Sequence, residues 1–230
     1  MNARRKICAV VPLKDTRQAK QRLAGMCGDT QRQQLALAMF EDVVSALACV
    51  RELAGILVVT VDRAASAIAA GHGGRVWADG ACAGHTGAIA AAARRLAADG
   101  FAMLTLPGDV PLVEPHDIRE LIRAHRSAIR GSARALTIVP ARDERGSNAV
   151  LCSPADAVPL RFGDDSFFRH LVAARERGIE PSVLRLPRIA LDIDTPDDLA
   201  LLLAEASPTH SRALIDRWRL RQDESIEATA

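Results

Sequence analysis

Hydrophobic and polar positions along the chain switch between two rhythms. Continuous apolar runs at Ile7–Pro12 (ICAVVP), Gly55–Val61 (GILVVTV) and Ala102–Leu106 (AMLTL) end at Pro, Gly or charge and read as strands buried on both faces. Helical spacing fills the intervals: from Asp29, as a cap, to about Val50, then Ala64–Ala70, Thr86–Ala98 and Pro115–Ser127. A short strand is expected at Gly74–Ala78, with GHGG (71–74) as a turn before it. In the second half, Ala135–Pro140 and Asn148–Cys152 read as strands around the polar turn ARDERGS. Asp165–Arg177 reads as a helix, Ser182–Leu186 as a strand, Ala190–Ile193 as a short apolar piece, and Pro196 to about Glu205 as a helix. Strands alternating with helices predict an α/β fold, a mostly parallel central sheet flanked by helices on both faces. Ligands bind such sheets at the C-terminal strand ends, which directs attention to the loops after Pro12, Val61, Leu106 and Ile193. No repeat and no interdomain linker interrupts the pattern. One domain is expected over residues 1–206, followed over 207–230 by a helix that frays into a disordered tail, QDESIEATA.

Composition narrows the function. With 230 residues, 49% of them hydrophobic, the chain can fill the core of one large domain. Thirty Lys+Arg against 28 Asp+Glu leave a net charge of +2, which argues against a nucleic-acid binder that neutralises many phosphates. Aromatics are 3% with no Tyr, so stacking platforms for single strands are also unexpected. No apolar run approaches the roughly 20 residues of a membrane span. The basic start MNARRKICAVVP runs straight into a strand without a cleavage site, so a cytoplasmic protein is expected. The five cysteines, Cys8, Cys27, Cys49, Cys82 and Cys152, form no CxxC pair. They signal neither zinc nor a disulfide framework and read as small buried hydrophobes in a reducing compartment.

The basic residues are unevenly written. Only Lys6, Lys14 and Lys20 are Lys; the rest are Arg. Genome composition explains the bias, but it draws attention to Lys14 and Lys20, because ammonium and guanidinium differ as phosphate ligands. No Gly-Lys-Ser/Thr is present for a Walker A loop, and no GxGxxG follows the first strand. That loop instead carries Lys14, Arg17, Lys20 and Arg22, a cationic stretch at a strand end that can hold a triphosphate.

Acids come from two other loops. LTLPGDVPL puts Asp109 just beyond a buried strand, and LDIDTPDDL puts Asp192 and Asp194 on one side of an extended segment. Three carboxylates at neighbouring strand ends need a cation between them, and hard oxygens of this kind suit Mg²⁺ shared with substrate phosphates. Asp194 or Thr195 can alternatively cap the helix beginning at Pro196. A third polar cluster comprises Gly146, Ser147 and Asn148 of ERGSNA, with Gly163 and Ser166 of RFGDDSFFRH at a helix start whose free N–H groups favour an anion. Asp164 and Ser166 are equally explained as ordinary caps. His85 and His170 fall near these loops, where surface or packing roles account for both.

Taken together, VVPLKDTRQAKQRLAG, LTLPGDVPLVEP, ERGSNAVLCSP, FGDDSFFRH and LDIDTPDDL resemble one family. It is the guanylyltransferases that act on 2-phospho-L-lactate, phosphoenolpyruvate or 3-phospho-D-glycerate in making coenzyme F(420). The resemblance covers nearly the whole chain and implies a single-domain, GT-A-like and Rossmann-like nucleotidyltransferase. It implies Asp109, Asp192 and Asp194 as Mg²⁺ ligands, and Ser147, Gly163 and Ser166 as the positions that hold the acid. It implies Pro12, Lys14, Lys20, Arg22, His85 and Thr86 as the nucleotide side, with Lys14, Lys20 and Asp109 closest to the chemistry. Where many relatives carry Leu-Asn before the helix near position 86, this chain reads GHTGAI, in a segment expected to contact base or ribose.

The expected reaction is attack of an ionised phosphate oxygen on the α-phosphorus of GTP, with loss of pyrophosphate. The nucleophile is already deprotonated, so no general base is needed, and no Ser-His-Asp or Cys-His constellation is visible. A different acceptor (a molybdopterin or a sugar phosphate) and a non-catalytic nucleotide-binding regulatory domain are the alternatives. The partners expected are GTP and a phosphorylated three-carbon acid, with a second copy of the chain left open, and neither nucleic acid nor membrane.

Overall fold

The computed structural model describes residues 5–129 and 132–227, with side chains to residue 218. Strands β1 (Ile7–Pro12), β2 (Leu53–Val59), β3 (Arg75–Trp77), β4 (Ala102–Thr105), β5 (Ala135–Pro140), β6 (Ser147–Ser153) and β7 (Ser182–Val183) form one sheet in the order β3-β2-β1-β4-β6-β5-β7. Around it lie α1 (Asp29–Ala48), α2 (Arg63–Gly71), α3 (Gly84–Ala98), α4 (Pro115–Ala128), α5 (Ser166–Arg175), α6 (Pro187–Ala190), α7 (Pro196–Ala204) and α8 (His210–Glu227). This is the expected α/β architecture. No helix among the described residues is long and apolar enough to cross a membrane.

Why the central strands lack polar positions follows from the two cores. Alternate residues of β1 enter opposite faces: Ile7, Ala9 and Val11 pack with Phe40 and Val43 of α1, while Cys8 and Val10 pack with Ile89 and Ala92 of α3. A third cluster joins Leu23 and Leu35 to Ile193, Leu202 and Ile215, seating α7 and α8 beside the first loop.

Two features of the topology position the site. The chain leaves β1 outward to β2 and β3, then returns to β4 on the other side, so the order reverses between β1 and β4. Strand β6 runs antiparallel to both β4 and β5. Its first residue, Ser147, pairs with Pro140 and therefore stands at the same edge as the ends of β1 and β4.

Several element boundaries differ from expectation. Gly28, not Asp29, is the N-cap of α1, and its N–H donates to the Gln31 side chain at 3.0 Å. The expected strand over 182–186 shortens to two residues because Pro187 opens α6 next to it. Within the segment expected to be disordered, α8 continues to Glu227, since each further helical residue adds a backbone bond once the first turn is docked; residues 228–230 of that segment lie outside the described residues. Asp42 of α1 supplies the docking, accepting from His210 N at 2.6 Å and from Ser211 N and Oγ at 3.1 and 2.7 Å. The cysteines also divide. Cys8 and Cys152 are buried, which pushes their thiols up to about 11 and about 12, whereas Cys49 and Cys82 are exposed because they sit at a helix end and in a surface turn rather than in the sheet.

A buried polar knot crosses the core between α4 and the sheet. The His125 ring, 1% exposed, lies 2.9 Å from Thr137 Oγ1 and 2.8 Å from Ser153 Oγ. Burial pushes its pKa down to about 4. A group depressed on folding contributes stability above its unfolded pKa, near 6.5, and loses it as pH falls toward 4. Lowering the pH from 7 to 4.5 should therefore cost on the order of 2 kcal/mol through this ring, lowering Tm by about 5 °C. His125→Gln should flatten the Tm–pH slope by that amount; an unaltered slope would show that the ring does not titrate this way.

Candidate active site

The loop after β1 is shaped by a contact that the sequence does not signal. Thr16, 1% exposed, donates from N at 3.0 Å and from Oγ1 at 2.6 Å to Asp62 Oδ2, just beyond β2. The other Asp62 oxygen caps α2, accepting from Ala64 N and Ala65 N at 2.9 and 3.1 Å. Burial works against this carboxylate, but these hydrogen bonds prevail and hold its pKa below the usual value. Residue 62 thus fastens the cationic loop to the sheet.

The fastened loop places Lys20 in left-handed backbone (φ 53°), with its side chain 7% exposed. Its Nζ donates to Asp109 Oδ2 at 2.6 Å and to Asp194 Oδ1 at 2.8 Å. Burial opposes the ammonium, yet the two carboxylates prevail and raise its pKa, so it stays charged. Asp109 can come this close because Gly108 lacks a side chain: a Cβ there would lie 3.1 Å from Leu13 Cδ1 and 3.3 Å from Phe40 Cδ2. The Ile193 N–H, donating to Asp109 O at 3.0 Å, ties the 191–195 segment to the same place.

Whether Asp194 or Thr195 caps α7 is now decided. Thr195 does, accepting from Asp198 N at 3.3 Å, while Asp198 Oδ2 accepts from Thr195 N at 2.9 Å. The Asp194 carboxylate is thereby left to Lys20. Asp192 takes a different partner, accepting from Asn148 Nδ2 at 3.0 Å. Burial, supplemented by the charges of Asp109 and Asp194, raises its pKa. The three acids share one wall, but no group of three His, Cys, Asp or Glu side chains among the described residues is closed into a metal cage. The expected trio departs from that arrangement because the Lys20 ammonium already lies between two of its members.

Ser147, Gly163 and Ser166 do converge. Ser166 Oγ lies 3.4 Å from Ser147 Oγ, and both residues are buried. Gly163, with φ 119°, occupies backbone that other residues avoid. Two of the N–H groups at the start of α5 are already taken: Ser166 N donates to Gly163 O at 3.1 Å and Phe167 N to Arg145 O at 3.0 Å. Asp165 occupies the N-cap position in left-handed backbone without a side-chain cap bond, so neither Asp164 nor Ser166 is the cap.

His85 packs against Phe162 with tilted rings whose centroids are 4.6 Å apart, and burial pushes its pKa down to about 4, so it is neutral near pH 7. The Thr86 hydroxyl is occupied by the Phe162 backbone, accepting from its N–H at 3.0 Å. His170, expected in a surface or packing role, is wholly buried and also bonded to Ser147. Sequence reasoning missed Asp62 and the pairing of Asn148 with Asp192, whose signals are contacts across 46 and 44 positions.

These residues line two adjoining cavities. One, of about 670 Å³, is bordered by Pro12, Lys14, Lys20 and His85; the other, of about 930 Å³, by Arg22, Ser147, Gly163, Ser166 and Asp192. Lys14, His85, Asp109 and Asp194 border both. Two ligands can therefore meet across a wall that carries both signs of charge.

A cleft at the switch point of this sheet, with cations and carboxylates on its dividing wall, is the kind of site a nucleotidyltransferase needs. The fold is shared with a solved nucleotidyl transferase from Methanothermobacter: TM-score 0.60 at 18% identity, covering 87% of this chain and 96% of that one. The chain belongs to the family described as guanylyl transferase CofC-like, whose model matches residues 7–228. It is 38% identical over 217 residues to the phosphoenolpyruvate guanylyltransferase of Conexibacter woesei, covering 93% of this chain and 95% of the relative. It is 36% identical over 200 residues to the 3-phospho-D-glycerate guanylyltransferase of Colwellia psychrerythraea, covering 86% and 92%. The protein is an enzyme of the nucleotidyltransferase class.

The Thr16–Asp62 tether yields a test. Thr16→Val keeps shape and removes the 2.6 Å hydrogen bond to a charged acceptor, costing about 1.5–3 kcal/mol of loop order. The KM for nucleotide should rise several-fold while the KM for the acceptor stays within about twofold. Equal shifts in both would show that the loop does not serve the nucleotide side.

Proposed function

We propose that the enzyme transfers GMP from GTP to a phosphorylated three-carbon acid, releasing pyrophosphate, as a step in coenzyme F(420) biosynthesis. The observation that carries this reading is the pair of cavities meeting at Lys14, Asp109 and Asp194. In the reaction, an ionised phosphate oxygen of the acid forms a bond to the α-phosphorus, and the bond to the bridging oxygen of the β-phosphate breaks. No proton need move, which agrees with a site whose histidines His85 and His170 are both held neutral by burial.

The proposed division follows the cavities except at Arg22 and Thr86, which border the second one. The nucleotide side comprises Pro12, Lys14, Lys20, Arg22, His85 and Thr86, with Thr86 acting through the Phe162 loop that it holds. The acid side comprises Ser147, Gly163 and Ser166, where the Ser147 hydroxyl can donate to an anion. The barrier is the approach of two anions, which Lys14 and Lys20 lower by charge and by alignment.

Mg²⁺ is the proposed cofactor. Asp109 and Asp194 fit it because an oxygen from each already converges on one cationic point, and the charge of Asp192 lies close enough for all three acids to repel. When bound, the ion would neutralise phosphate charge and orient the reacting oxygens. The setting proposed is cytoplasmic, in keeping with exposed unpaired thiols at Cys49 and Cys82. Phosphoenolpyruvate and 3-phospho-D-glycerate, the acids named for the two relatives, are candidate acceptors together with 2-phospho-L-lactate.

Incubating the enzyme with GTP, Mg²⁺ and each acid separately, and reading products by mass, tests the reading. A GMP–acid adduct with pyrophosphate is expected for at least one acid and should vanish in EDTA. Transfer only to a sugar phosphate, or no transfer at all, would sink the proposal. Asp109→Asn should lower turnover by about 100-fold or more with the fold retained. Lys14→Arg and Lys20→Arg should each lose about tenfold or more in kcat/KM, with Lys6→Arg silent. Lys20→Arg should suffer more, because a guanidinium overfills a position only 7% exposed.

A further inference from the structure

Ser147 ends a chain of hydrogen bonds whose direction is set by the backbone. The Arg161 N–H donates to His170 Nε2 at 2.8 Å, and an amide nitrogen cannot accept, so Nε2 carries no proton. The ring is fully buried; burial, reinforced by nearby His85, pushes its pKa down to about 4. Near pH 7 the imidazole is therefore neutral, and its single ring proton sits on Nδ1. Nδ1 is 2.9 Å from Ser147 Oγ and so donates to it. Ser166 Oγ donates to the same oxygen at 3.4 Å. With both lone pairs of Ser147 occupied, its one hydroxyl proton is left for a group in the adjoining cavity.

We propose that His170 is a positioning residue: its Nδ1–H holds the Ser147 hydroxyl as a donor directed at an anionic oxygen of the phosphorylated acid. The inference rests on the reading of Ser147 as part of the acid side. Its physical content is a choice of tautomer. With the proton on Nε2, Ser147 would have to donate to Nδ1, turning a lone pair toward the acid where a proton is required. The Arg161 amide forbids that arrangement. A buried aliphatic residue could pack against Phe162 as the His170 ring does, at a centroid distance of 5.0 Å, but it could not set this direction. Because the proton remains on Nδ1 throughout, His170 performs no acid–base step.

Conservative substitutions separate the two ring nitrogens. In His170→Asn the amide nitrogen falls near Nδ1 and can still donate to Ser147. In His170→Gln the side-chain oxygen reaches near Nε2 and can accept from Arg161 N, but nothing is offered to Ser147. Steady-state kinetics on these variants, on Ser147→Ala and on the Ser147→Ala/His170→Gln double variant are the test. Ser147→Ala and His170→Gln should each raise the acid KM roughly tenfold and leave the nucleotide KM alone. His170→Asn should stay within about twofold of the parent, and the double variant should be no worse than Ser147→Ala, since both changes remove one interaction. If His170→Gln and His170→Asn are impaired alike, or if effects multiply in the double variant, His170 acts through packing and the proposal falls. If Ser147→Ala raises the acid KM and His170→Gln does not, only the positioning role is lost. An unchanged acid KM in Ser147→Ala overturns the acid-side assignment of Ser147 and the positioning role with it. Nitrogen-15 NMR of the unmodified enzyme at pH 7 gives a check independent of variant folding. A protonated Nδ1 on His170 is expected, and a protonated Nε2 overturns the proposal.

Discussion

Lys20 sets one ammonium between carboxylates that reach it from positions 109 and 194, and the form of the cleft depends on that charge. The loop after β1, the loop after β4 and the segment leading into α7 also share an apolar cluster, through Leu23, Leu112 and Ile193, so the charged contact acts beside packing. Three like-charged neighbours would drive them apart. Deep in a protein, removing one member of such a contact costs roughly 3–5 kcal/mol, because the remaining charge is orphaned. The cost is smaller here, since Asp194 is 45% exposed and water screens it. The arrangement is therefore strong enough to shape the site and open enough for ligands to compete for the same carboxylates.

The sheet divides the work between its two directions. Parallel strands β1 and β4 present their C-terminal ends at the switch point and carry the lysines and Asp109. The reversed strand β6 presents its N-terminal end at the same edge and carries Ser147 and Asn148. Asn148 then ties the halves together: its amide donates to Asp192 and also to Ile189 O and Ala190 O, holding the 189–192 segment against β6. A fully parallel sheet would put the start of that strand at the opposite edge, remote from the acids.

Much of this was legible in the chain itself. The strands β1, β2 and β4 stand out because each is a continuous apolar run bounded by Pro, Gly or polar residues, which is what burial on both faces demands. Lys20, Asp109, Asp192 and Asp194 stand out because charges just past such strands have few structural uses. The Lys20 ammonium itself lies between two of these carboxylates, which the loop sequence does not show. What stayed hidden depends on contacts between distant positions. Asp62 looks like a plain helix cap, which it is, and nothing local shows that its second oxygen holds Thr16. His170 lies on an amphipathic helix where packing explains it, until the Arg161 amide is seen to fix its tautomer. Short pieces such as 182–186 carried too little pattern to overcome the proline that follows.

The scarcity of lysine acquires meaning from this geometry. A guanidinium could pair with either acid in a flat, bidentate way, but its plane and five donors suit one carboxylate better than two converging ones. The ammonium is a point with three donors, and it satisfies Asp109 at 2.6 Å and Asp194 at 2.8 Å together. The left-handed backbone at residue 20 adds a cost of order 1–3 kcal/mol for a residue other than glycine. A chain that writes almost every other cation as Arg, and accepts strained backbone to seat this one, is using the shape of the charge as well as its sign.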